Sequence, residues 1–81
     1  MDTEFKTIAI QGTVRLSNRA IETLKNIRGM KDMRLPYREA ERLGYSIMRM
    51  KSYIDLGLVR EGISGYYLTR FGEFVLAGRE V

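Results

Sequence analysis

The 81-residue chain predicts a small α+β fold, mainly α with a small β-hairpin, in the order β-α-(β)-α-α-β-β-α. Three observations carry this. Apolar residues recur at helical spacing in the stretches 20–27, 40–54 and 71–75. Two short runs, 58–60 and 66–68, flank a Gly-punctuated pentapeptide, the pattern of a hairpin. Residues 5–16 alternate with a period of two, the pattern of a strand or extended arm. With 44% apolar and 30% charged residues, the composition is that of an ordinary globular chain large enough for one domain.

In chain order, Ile8, Ile10, Val14 and Leu16 share one parity of the N-terminal strand, assigned to an arm over 1–16 and broken near Gly12. Ser17 reads as an N-cap, with Leu16 before it able to staple onto Ile21. Ala20, Ile21, Leu24 and Ile27 line one face of the first helix, and Gly29 is its stop. Met30 to Leu35 is a connector with room for a short strand at 33–35. Pro36 fits a first helical position, where its missing N–H costs nothing. Ala40, Leu43, Ile47, Met50 and Ile54 then recur at +3 and +4, which permits one helix from Pro36 to about Leu56. Gly44, costing ~1 kcal/mol relative to Ala inside a helix, favours two helices instead, 36–43 and 46–56.

Gly57 stops that region. Leu58–Arg60 and Tyr66–Leu68 are the hairpin strands, with Tyr66 and Leu68 facing in and Tyr67 out. Gly62 and Gly65 read as turn residues at positive φ. Thr69 caps a last helix with Phe71, Phe74 and Val75 on its apolar face. The main domain is 17–78, with a tail at 79–81. Met30, Met33, Met48 and Met50 read as gap-filling core, Met48 partly exposed.

Net charge is +4, but residues 25–51 hold eight Lys/Arg against three Asp/Glu, or +5, so the other 54 residues sum to −1. A polyanion partner accounts for that concentration, as does a merely solvated helical surface. Catalysis is poorly supported. The absence of His and Cys removes the commonest general base, the thiol nucleophile and nearly all zinc sites. Glu39 and Glu41 point different ways on a helix, and neither GxxxxGK[ST] nor GxGxxG occurs. No enzyme activity, metal or small-molecule cofactor is expected. The start MDTEFK is unlike a signal peptide and no 18-residue apolar run occurs, so a cytoplasmic location without membrane contact is expected.

At 100° per residue, Leu43, Ile47, Met50 and Ile54 cluster on one face of 36–56, expected to be buried. The opposite face carries Arg38, Arg42, Tyr45, Arg49 and Ser52. An Arg there suits bidentate bonding to guanine in a major groove. Ser46 and Ser52 are short donors for phosphate or base edges, Ser46 doubling as a possible cap. Lys51, at the edge of the buried stripe, should reach a phosphate. In the hairpin Arg60, with Ser64, is the DNA-facing candidate, while Glu61 would repel phosphate.

Three segments, YREAERLGYS (Tyr37–Ser46), IDLGLV (Ile54–Val59) and GYYLTRFG (Gly65–Gly72), carry a resemblance. From about Ile21 to Leu76 the chain is similar to prokaryotic winged helix-turn-helix regulators of the archaeal, viral and plasmid type. The resemblance implies a homodimeric, sequence-specific transcriptional regulator of double-stranded DNA. Its recognition helix is about 45–56 in the major groove and its wing is 58–68 on the backbone. A winged helix can also serve as a protein interaction module, an alternative motivated by Glu61 and by Met48, Tyr53 and Leu56 expected on the surface.

Overall fold

The Ser17 side chain accepts a hydrogen bond from the Ala20 amide at 3.1 Å, capping the first helix, α1 (Asn18–Arg28). These elements come from a computed structural model that describes residues 16–80, with side chains through 78. The expected strand at 5–16 lies outside the described residues except for Leu16, which packs against the core beside Ile21. After Gly29 a single 3-10 turn, Lys31–Met33, reverses the chain, with Asp32 and Met33 at φ of 60° and 50°. β1 (Arg34–Pro36) follows, one residue later than expected because Met33 is left-handed.

Pro36 is the last residue of β1 and the N-cap of α2 (Tyr37–Arg42), not its first helical residue. It pairs with Gly65 on an edge strand, where a missing N–H is tolerated. The 36–56 stretch is two helices: α2 and α3 (Ile47–Asp55). Both end alike. Gly44 and Gly57 each stand at φ +80°, a conformation that costs glycine little. After each the next amide reaches back, Tyr45 to the Ala40 carbonyl at 2.9 Å and Leu58 to the Tyr53 carbonyl at 3.0 Å. This repeated Schellman closure satisfies carbonyls that a helix end leaves unpaired.

β2 (Val59–Glu61) and β3 (Gly65–Leu68) form the hairpin, and β1 joins as a third antiparallel strand, in the order β1-β3-β2. Tyr66 and Leu68 are buried as the parity requires. Neither Gly62 nor Gly65 has positive φ; they are small for lack of space. A Cβ on Gly65 would stand 2.4 Å from the Leu35 carbonyl oxygen, and one on Gly62 2.5 Å from the Tyr67 ring.

Thr69 caps α4 (Arg70–Glu80), accepting from the Gly72 amide at 2.9 Å and donating to the Gly57 carbonyl at 2.6 Å. It thereby ties the end of α3 to the start of α4, which runs on into the segment assigned to a tail. The inward face of α4 is Gly72, Val75 and Leu76, while Phe74 is exposed, contrary to expectation. The helix lies so close to Leu58 that only Gly72 fits there, and this close approach sets its rotation. The protein is therefore α+β, mostly helical, with Leu24, Ile27, Leu35, Met50, Leu58 and Leu76 fully buried between helices and sheet. No described helix is long and apolar enough to cross a membrane.

Candidate nucleic-acid interface

The orientation of α3 differs from the expected one. Ile47 is 78% exposed and Leu43 is also exposed, whereas Tyr53, expected outside, is buried with Met50. The buried face is thus centred about 60° around the helix from the predicted stripe at 100° per residue. The reason is the break at Gly44: the +3/+4 series through Leu43 does not continue into a separate helix. A tyrosine ring also buries more area than Ile47, provided its hydroxyl finds a partner.

That partner is Arg49. Its Nε donates to the Tyr53 hydroxyl at 3.1 Å and its Nη2 to Oγ1 of the buried Thr23 on α1 at 2.6 Å. The guanidinium also lies 4.5 Å from the centre of the Tyr45 ring, whose hydroxyl accepts from Asn26 at 2.6 Å. Thr23 in turn donates to the Arg19 carbonyl at 2.9 Å. Arg49 and Tyr45, both predicted to read DNA, therefore clasp α3 to α1. The sequence did hold a signal for part of this: Arg49 and Tyr53 are four apart and so share a face of α3, while Tyr45 reaches the guanidinium from the turn before the helix.

The outward face of α3 holds Ile47, Met48, Lys51, Ser52 and Asp55, all exposed. Lys51 stands near its centre rather than at the edge of a buried stripe. Met48, at 82% exposure, is not core. Ser46 caps α3 by accepting from the Arg49 amide at 3.1 Å, and Ser52 donates to the Arg49 carbonyl at 2.7 Å. On α2, Arg38 is exposed, and Arg42 is exposed while paired with Glu39. The hydrogen bond from Arg42 holds the Glu39 carboxyl below the ordinary carboxylate range.

In the hairpin, Arg60 faces Tyr67 across the ladder, its guanidinium 4.4 Å from the ring centre and its surface exposed. Ser64 accepts from Arg34 on β1 at 2.8 Å, so the tip is tied to the sheet by a cation from outside the predicted site. Ile63 at the tip is fully exposed. The Tyr37 hydroxyl donates to the Gly62 carbonyl, and the Tyr37 and Tyr66 rings meet edge to face at 5.0 Å. Burial first, then the negative charge of Glu61, raises both tyrosines above their ordinary value. Between the α2–α3 corner and the hairpin runs an open groove of about 830 Å³, bringing together Arg38, Tyr45, Ser46, Ile47, Glu61 and Tyr66.

The predicted site residues thus divide. Arg38, Arg42, Lys51 and Arg60 present cations at the surface, Tyr45 and Arg49 are drawn in between α1 and α3, and Ser46, Ser52 and Ser64 are exposed but hydrogen-bonded within the fold. Among the described residues no group of His, Cys, Asp or Glu is placed to hold a metal ion. Comparison with protein-family models, curated proteins and solved structures finds no match to the chain.

Proposed function

We propose that the protein is a winged helix-turn-helix, sequence-specific binder of double-stranded DNA, a transcriptional regulator acting as a homodimer. The supporting observation is the sequence of parts: α2, a tight turn, α3 with an exposed outer face, then a hairpin whose β3 pairs with β1. Cations stand along that route at Arg38, Arg42, Lys51 and Arg60. A helix of ~10–12 Å diameter fits the ~12 Å major groove, with its first residues nearest the bases. The hairpin and Arg60 then lie along the backbone, and two copies would read half-sites ~34–36 Å apart.

The test is duplex affinity against salt. Four or five phosphate contacts give a log–log slope of about −4, and a flat response would sink the reading. A second reading, a protein interaction module, is favoured by one observation: the first turn of α3 exposes two large apolar side chains, Ile47 and Met48. Absence of duplex binding at low salt, with a protein partner retained on purification, would select it.

A further inference from the structure

We infer that Ile47 and Met48 are specificity-determining residues that recognise thymine through its 5-methyl group. This rests on the DNA-binding reading above and concerns how the α3 face chooses its sequence.

The two side chains occupy the first turn of α3, 78% and 82% exposed, and no described contact covers them. That turn is where a groove-bound helix meets base edges. Polar readers are scarce on this face. Arg49 is bound to Thr23 and Tyr53, Ser46 is spent as the cap, and Ser52 donates to its own helix. Lys51, one turn on, is a point charge suited to phosphate or to a guanine edge. What the first turn offers a base pair is apolar surface, and the apolar group in the major groove is the thymine methyl.

The surroundings choose DNA over a protein. Residues 25–51 hold a +5 excess, and on the helical pair Arg38 and Lys51 are exposed cations suited to phosphate, while Arg42 is paired with Glu39 and Asp55 shares the outer face. Two bulky apolar side chains side by side match two successive thymines, or one thymine and the sugar edge beside it.

The test uses the full chain and duplexes selected by it from a random pool. Each thymine of the selected site is replaced in turn by deoxyuridine, which deletes the methyl and leaves pairing intact. One or two positions should lose about fourfold in affinity, the worth of one buried methyl group. In the double variant Ile47→Ala, Met48→Ala, which alters only exposed positions, thymine and deoxyuridine duplexes should bind alike. Lys51→Ala should weaken both equally and keep the discrimination. Duplex binding with no deoxyuridine effect at any position overturns the inference and leaves DNA binding standing. No duplex binding at all, with the double variant dissolving a dimer or releasing a bound protein, overturns both.

Discussion

The two sides of α3 differ in a way that inverts simple expectation. The side facing α1 carries the cation Arg49, and the side facing solvent carries Ile47 and Met48. Inside, Nε and Nη2 of Arg49 donate to the hydroxyls of Tyr53 and Thr23, Thr23 donates onward to the Arg19 carbonyl, and the Tyr45 ring lies against the guanidinium. Outside, the large side chains are without described contacts. A half-buried guanidinium whose donors meet two hydroxyls keeps its charge partly solvated, and its fork geometry orients two helices at once. Two adjacent bulky apolar groups left in water on one helical turn are surface available to a partner. The cation is thus architecture and the apolar pair is function, the reverse of what residue type alone suggests.

The largest expected effect tests the inner side. Arg49→Ala leaves the Tyr53 hydroxyl without its donor and removes the charged bond to Thr23 and the stacking on Tyr45. The cost is about 2–3 kcal/mol, which for a domain of this size lowers Tm by roughly 10–20 °C. Arg49→Lys should recover little, since an ammonium cannot span both hydroxyls and stack. Thermal unfolding followed by circular dichroism measures it. A change of only a degree or two would mean that the clasp is decorative and Arg49 free to read DNA after all.

Next in size is the outer side. Lys51→Ala should leave Tm within the small range of exposed substitutions while weakening every duplex alike and reducing the salt slope by about 1. Arg49→Ala, compared at a temperature where both variants are folded, should leave that slope unchanged. If the two variants exchange these outcomes, the assignment of inner and outer faces is wrong.

Much of this fold was legible in the sequence. Ser17, Ser46 and Thr69 all cap helices, and Gly44 and Gly57 end them, because capping depends on a few neighbouring residues. The hairpin parity was legible for the same reason: Tyr66 and Leu68 follow from a period of two. Rotation of helices was not. Whether Ile47 or Tyr53 turns inward depends on Thr23, some thirty residues away, and on how closely Gly72 lets α4 approach Leu58. The candidate site suffered most, since a 60° rotation exchanges readers for struts. Of its nine predicted residues, Tyr45 and Arg49 are drawn inward; the cations on α2, Lys51 and Arg60 keep surface positions, as do the three serines, which are already hydrogen-bonded within the fold. Glycines 62 and 65 show the same limit, being required by neighbours' atoms rather than by their own backbone angles.

The smallest expected effect concerns pH and lies away from α3, where Tyr37 of α2 meets Tyr66 of β3. Tyr37 and Tyr66 both have values raised above the ordinary 10.0, first by burial and then by Glu61. Folding therefore favours their neutral forms. A raised folded value gives stability that is complete below the unfolded value and lost as pH climbs through the folded one. Tm should hold steady up to about pH 10 and fall above it, as the Tyr37 hydroxyl loses the proton it donates to Gly62. Tyr37→Phe should start from a lower Tm near neutral pH, having no such bond, and then decline less steeply in alkali. Equal slopes for the two proteins would place the alkaline loss on Tyr66 or elsewhere, and the turn of the hairpin would not be held by Tyr37.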